Sequence, residues 1–165
     1  KTKLAGEQVI QETMPNSAII IRTSWTYSEY GNNFVNTMIR LGKERDELSV
    51  VSDQIGSPTY ATDLASAILE IIQNEEFKKA GQATQIYHYS NAGECNWYEF
   101  TKEIFELANI QCTISPITTE QYPAPAQRPG NTLMNKDKIT KIFDFQIVNW
   151  KKSLSDCFQS IRMMQ

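Results

Sequence analysis

Ala18-Ile19-Ile20-Ile21 sets four apolar residues, three of them β-branched, side by side with no polar interruption. An alternating strand lets one sheet face meet water. A continuous apolar run needs cover on both faces, which is the condition of a strand in a parallel sheet flanked by helices. Ahead of it the chain reads as helix from Lys1, with Leu4, Gln8 and Gln11 on one side and Ala5, Val9 and Ile10 on another. Met14-Pro15-Asn16 stops that helix, because proline removes a backbone donor and restricts the residue before it. No N-cap stands in front of Lys1, which predicts a portion of a longer polypeptide.

Helix and strand go on alternating. After Gly31, Asn32 or Asn33 can cap a helix carrying Phe34, Met38 and Leu41, with Gly42 placed to help end it. Leu48 to Asp53 reads as a short strand and Gly56-Ser57-Pro58 as a turn. Thr62 or Asp63 then caps an amphipathic helix through Leu64, Ala65, Ile68, Leu69 and Ile72. Gln85 to Ser90 alternates as a strand, and Asn96 with Glu99 forms a capping-box pair ahead of Trp97, Phe100, Ile104 and Phe105. Pro116, Pro123, Pro125 and Pro129 make Ser115 to Leu133 an extended ordered loop whose length points to a function. Asn135 and Asn149 are placed to cap two closing helices, the last with Trp150, Leu154, Phe158 and Ile161. The expected class is mixed α/β in one domain.

Composition excludes several functions. At 165 residues and 41% hydrophobic the chain can bury one sizeable core, and its net charge of -3, with scattered basic residues, offers no footprint for a nucleic-acid backbone. Cys95, Cys112 and Cys157 lie at long spacings without a Cys-x-x-Cys, so neither a disulfide framework nor a zinc site is signalled, and all three read as reduced core residues. No apolar run is long enough to cross a bilayer and no leader is visible, so the expected location is the cytoplasm. His88 has no partner at ligand spacing and reads as a packed or surface residue. Asp53 and Asp63 do not make a glycosidase pair, since Asp63 is better explained as a cap. No Gly-x-Gly-x-x-Gly follows a strand, so these residues contain no dinucleotide pyrophosphate cradle.

Six segments carry a resemblance. Lys1-Thr2-Lys3-Leu4-Ala5-Gly6-Glu7, Ile21-Arg22-Thr23-Ser24-Trp25-Thr26-Tyr27, Gly31-Asn32-Asn33-Phe34-Val35, Asp53-Gln54-Ile55-Gly56-Ser57-Pro58-Thr59, Asn91-Ala92-Gly93-Glu94-Cys95-Asn96-Trp97-Tyr98-Glu99-Phe100 and Arg128-Pro129 are similar, in order, to the dTDP-4-dehydrorhamnose reductases. The set covers almost the whole chain and is more specific than any one member. It implies the C-terminal part of a Rossmann-like extended short-chain dehydrogenase/reductase, a single truncated domain over 1–165. Residues 1–30 would be the remnant of the NAD(P)-binding sheet and its catalytic helix, and 31–165 mainly the substrate-binding region.

The resemblance further implies a Tyr-x-x-x-Lys pair with Lys3 as its lysine and the tyrosine ahead of Lys1. In the family that lysine binds the nicotinamide ribose and lowers the tyrosine pKa, so that the phenol exchanges a proton with a sugar oxygen. The implied reaction is hydride transfer from NADPH or NADH to the C4 ketone of dTDP-4-dehydro-L-rhamnose. Its product, dTDP-L-rhamnose, serves cell-surface polysaccharides such as the lipopolysaccharide O-antigen. The partner is a small dTDP-sugar, with no nucleic acid or membrane, and the chain alone is expected to be inactive. Some family members dimerise with Mg²⁺ held by glutamates; a homodimer stays open here and no position is assigned to a metal.

Candidate substrate residues follow from that placement. Trp25 offers a flat apolar face to a deoxysugar and one donor at its edge, against the alternative of a core tryptophan at a strand end. Asn32 and Asn33 are helix caps or contacts to substrate phosphates. Gln54, Ser57 and Thr59 flank a Gly-Pro turn where backbone can approach a ligand, or simply join a strand to a helix. Arg128 is suited to a two-pronged contact with a diphosphate, against a plain surface arginine. Two rivals remain: another sugar-nucleotide epimerase or dehydratase, and a non-catalytic relative such as the regulatory subunit of methionine adenosyltransferase.

Overall fold

The computed structural model describes residues 2–78, 83–122, 126, 128–144 and 146–163. Helix α1 (Thr2–Thr13) leads to β1 (Ile19–Arg22), a short β2 (Thr26–Tyr27), α2 (Phe34–Glu44) and β3 (Glu47–Val51). Two-residue strands β4 (Ile55–Gly56) and β5 (Thr59–Tyr60) precede α3 (Ala61–Gln73) and one turn of helix, α4 (Glu75–Lys78). The second half carries β6 (Gln85–His88), β7 (Cys95–Asn96), α5 (Trp97–Ala108), β8 (Thr113–Ile117), a 3₁₀ turn over Thr119–Gln121, α6 (Asp137–Phe143) and α7 (Trp150–Met163). The strands pair two by two: β1 with β6, β2 with β5 and β3 with β8 are parallel, and β4 with β7 is antiparallel. The mixed α/β expectation therefore stands.

Two apolar clusters hold these pieces. The larger lies among α2, α5 and α7 and contains Val35, Phe100, Ile104, Leu154 and Cys157, all essentially without exposure. The smaller joins α3, β6 and α6 through Ala67, Ile71, Tyr87, Ile139 and Phe143. Between them sits Asn91, fully buried. Its amide nitrogen donates to Asp63 Oδ2 at 2.6 Å, Ser153 Oγ at 2.8 Å and the Val148 carbonyl at 3.2 Å, while its oxygen accepts from the Tyr60 N–H at 2.7 Å. Ser153 also donates to Asp63 Oδ2, at 2.5 Å.

Several expectations are corrected by contacts far away in sequence. Gly42 lies inside α2 rather than at its end, because a Cβ there would stand 2.6 Å from Phe105 Cζ and 2.9 Å from Ile110 Cγ2. Neither Thr62 nor Asp63 caps α3: Tyr60 is its N-cap without a side-chain bond, and the Tyr60 N–H is instead met by Asn91. The stretch 115–133 is not loop from its start, since Ser115 to Ile117 belong to β8 and pair with β3. Pro116 is tolerated there because each strand of a two-stranded sheet has a free edge. Pro123 and Pro125 lie outside the described residues. The apolar run at 18–21 forms β1 one residue later than read; it pairs in parallel with β6 as read, and within these residues its isoleucines are half-buried.

Local signals fare better. Asn33 caps α2, accepting from the Asn36 N–H at 3.2 Å, and the Asn96–Glu99 box closes in both directions at 2.8 and 3.0 Å. Asn149 accepts from the Lys151 N–H at the start of α7, whereas the N-cap of α6 is Lys136 and Asn135, one residue ahead of it, accepts from the Asp137 N–H. Cys95 and Cys157 are buried free thiols, whereas Cys112 is only half-buried. No helix among the described residues is long and apolar enough to cross a membrane.

Two asparagines five positions apart separate network from cap. Asn96→Ala removes one end of a capping box and should lower stability by about 1 kcal/mol. Asn91→Ala leaves several buried partners unpaired and should lower it by about 3 kcal/mol or more. Urea unfolding of both variants measures the difference, and equal losses would deny Asn91 its place between the two clusters.

Candidate functional site

The loop after β1 is held from one direction. Thr59, fully buried, donates its hydroxyl to the Ser24 carbonyl at 2.6 Å and its N–H to the Trp25 carbonyl at 3.2 Å, and Thr23 donates to Thr59 Oγ1 at 3.2 Å. Ser24 donates to the Ser57 carbonyl at 3.1 Å, and Ser57 Oγ to the Gly93 carbonyl at 2.6 Å. Ser57 and Thr59 thus have their hydroxyls bonded inward. They shape the loop and present no free hydroxyl to a cleft.

Trp25 leaves that loop in a left-handed backbone, φ +48°, which L-residues adopt at a cost of about 1–2 kcal/mol. Its indole stacks on Trp97, with centroids 3.5 Å apart and planes at 14°, and the Phe34 ring lies 4.4 Å from that of Trp97, tilted at 44°. Three rings from β1's loop, α2 and α5 therefore form one half-buried aromatic wall. Trp97 is fixed at its polar edge: Nε1 donates to Gln54 Oε1 at 3.2 Å, Gln54 Nε2 donates to Thr119 Oγ1 at 3.0 Å, and Thr119 donates to Asp53 Oδ1 at 2.7 Å. Every donor in this relay points the same way and the chain ends on a carboxylate, the arrangement in which neighbouring bonds strengthen one another. The main-chain N–H of Thr119 and then its hydroxyl hold the Asp53 carboxyl below the usual carboxylate range.

The sequence candidates divide accordingly. Trp25, Gln54, Ser57 and Thr59 are brought together, but Gln54 has both ends of its amide engaged by Trp97 and Thr119. Asn33 spends its side chain on the cap and on the Ser28 and Tyr30 carbonyls. Asn32 is exposed, accepting from Thr37 at 3.4 Å. Arg128 is exposed two residues before Gly130, whose carbonyl accepts from the Ile55 N–H at 2.8 Å, so the Pro-rich segment returns to the rim at β4. Lys3 is exposed on α1; Glu7, one turn on, grips Arg22 with both oxygens at 2.8 and 2.6 Å and seats the helix against the end of β1.

Trp97 and Thr119 are the members that sequence reasoning missed. Trp97 was visible as the first residue after the Asn96 cap, where a large ring in the first turn has few helix neighbours to pack on. Thr119 had no local signal. The buried thiols are inert: burial pushes Cys95 and Cys157 up to about 12. Burial likewise lowers Lys136, whose ammonium donates to Ser90 Oγ and the Asn91 carbonyl.

A dinucleotide needs a glycine-rich turn at a strand end. Here β1 runs into Thr23-Ser24-Trp25 and β3 into Ser52-Asp53-Gln54, so among the described residues neither strand end builds such a cradle. Among the described residues no group of three His, Cys, Asp or Glu side chains is placed to hold a metal ion.

The fold is that of the Rossmann-like extended short-chain dehydrogenase/reductases. Within that class the chain belongs to the RmlD substrate binding domain family, whose sequence profile matches residues 1–163. It is 42% identical to the dTDP-4-dehydrorhamnose reductase of Aggregatibacter actinomycetemcomitans, over 94% of this chain and 54% of that protein. The crystal structure of a Bacillus anthracis dTDP-4-dehydrorhamnose reductase in complex with NADP is similar at TM-score 0.87 and 44% identity, over 96% of this chain and 53% of that one. A Clostridium acetobutylicum dTDP-4-dehydrorhamnose reductase is similar at TM-score 0.87 and 39% identity, over 98% and 55%. The chain spans about half the length of the curated relatives it matches.

Asp53 makes the relay sensitive to acid. Its folded-state pKa is depressed, so its bonds stabilise the fold above the unfolded carboxylate pKa, near 4, and that contribution disappears as pH falls through the folded value. Melting temperatures measured from neutral pH down to pH about 3 should therefore fall more steeply for the wild type than for Asp53→Asn. Parallel curves would show that the carboxylate contributes nothing to the relay.

Proposed function

We propose that this chain is the substrate-binding part of a dTDP-4-dehydrorhamnose reductase, and that its parent reduces the C4 ketone of dTDP-4-dehydro-L-rhamnose to dTDP-L-rhamnose in the cytoplasm. The observation that carries this is the unbroken match of residues 1–163 to a substrate-binding family, joined to relatives named for this activity. In this reading residues 1–30 belong to the nucleotide-binding sheet and its catalytic helix, and residues 31–165 receive the sugar nucleotide. The nicotinamide of NADPH, held chiefly by residues outside this chain, supplies the hydride.

What the chain's own residues contribute is orientation and charge. Lys3, one turn ahead of the Glu7–Arg22 clasp, presents an ammonium whose field favours ionisation of a phenol four residues before it on the same helix face. That phenol delivers the proton to the sugar oxygen as the ketone becomes an alcohol. Trp25 offers a flat indole face to the apolar side of the deoxysugar and its N–H at the edge as a donor, and Asn32 and Arg128, both exposed, meet the diphosphate. Gln54, Asn33, Ser57 and Thr59 act behind these as supports.

Kinetics of the intact parent test the reading. Lys3→Ala should lower kcat/KM for dTDP-4-dehydro-L-rhamnose by about 10²-fold or more, followed by nicotinamide absorbance. Trp25→Ala should raise the sugar-nucleotide KM about 10-fold and leave the nicotinamide KM alone. A Lys3→Ala parent with undiminished turnover overturns the reductase assignment, and equal changes in both KM values make Trp25 a packing residue.

A further inference from the structure

We infer that Gly56 and Trp97 are positioning residues that clamp the Trp25 indole in a single plane, and that through it they set how the parent holds its sugar; this rests on the reductase reading above. Gly56 is not needed for an unusual torsion, since among the described residues the left-handed glycines are Gly31 and Gly93. Space explains it instead. A Cβ at position 56 would stand 2.6 Å from Trp25 Cε2, 2.7 Å from Trp25 Cζ2 and 2.6 Å from Thr132 Oγ1. Carbon atoms in contact sit near 3.5–4.0 Å, so the indole occupies the volume that a methyl group would take.

Neither neighbour has room to retreat. Thr132 donates both its hydroxyl and its N–H to the Ile55 carbonyl, at 3.0 and 2.9 Å. Trp25 has Trp97 stacked against its face, and Trp97 is held by the relay through Gln54 and Thr119 to Asp53 and backed by Phe34. Turning the Trp25 backbone to move the ring would disturb the 3.2 Å bond from the Thr59 N–H to its carbonyl. Gly56 is itself fixed, paired opposite Cys95 in the β4–β7 ladder. The indole thus has Trp97 on one face, Gly56 against its Cε2–Cζ2 side and one backbone geometry at its root. A substituent at 56 would press on that ring and on the Thr132 hydroxyl, and only the first of these contacts disappears with Trp25.

A double-mutant cycle in the intact parent isolates this coupling. Gly56→Ala should raise the sugar-nucleotide KM about 10-fold without moving the nicotinamide KM, and should lower the melting temperature. Placed on Trp25→Ala, where the ring is gone and only Thr132 Oγ1 remains in the way, the same change should alter the sugar KM by no more than about 2-fold and lower the melting temperature less than it does beside Trp25. Trp97→Leu should reproduce the sugar KM defect in the Trp25 background and lose it in Trp25→Ala. A Gly56→Ala protein that fails to fold while the double variant folds also supports the clamp. Equal penalties with and without Trp25 overturn it. A Trp25→Ala parent with an unchanged sugar KM overturns the substrate reading and the functional half of this inference with it, while the melting-temperature cycle still decides whether the ring is clamped.

Discussion

Everything that the two apolar clusters do together depends on one buried amide. Asn91 ties the start of α3, the loop after β6 and the N-terminal turn of α7 into a single polar knot, with Asp63 as the acceptor shared by Asn91 and Ser153. Apolar packing alone is tolerant of sliding and repacking. A side chain whose donors and acceptor are all engaged, in surroundings that exclude water, is not, because each displaced bond leaves a buried polar group without a partner. The knot fixes β5, and β5 in turn fixes the loop that carries Trp25.

The aromatic wall shows how the same logic reaches the surface. Apolar contact brings Trp25, Trp97 and Phe34 together, yet stacking tolerates rotation within the plane of the rings. The hydrogen bond at the Trp97 edge removes that freedom, and the relay behind it hands the constraint to Asp53. The turn that follows β8, over Thr119 to Gln121, therefore helps to set the attitude of a ring at the start of α5.

What could be read from the residues was what local chemistry determines. The capping box at Asn96 and Glu99 and the cap at Asn33 are satisfied within four residues, so their spacing is their signature. Where the partner is remote, the same residue types mislead. Asp63 looked like a cap because it opens a periodic run, but its acceptor is taken by groups 28 and 90 positions away. Gly42 looked like a terminator because nothing nearby reveals that Phe105 needs the space. Pro116 hid a strand, since sequence does not tell an edge from a centre. Gln54 reads in the sequence as a candidate contact in a turn, and that both ends of its amide are engaged by Trp97 and Thr119 became readable only with those partners in place.

Trp25 occupies a torsion that asparagine or glycine would accept more easily. Substitution toward those residues is downhill for the main chain and uphill for whatever the indole does. What holds a tryptophan there is its stack on Trp97 and its packing on the larger core, which those smaller residues would forfeit. The position thus sets side-chain packing against the preference of its own main chain, and the ring that wins is the one around which the wall is built.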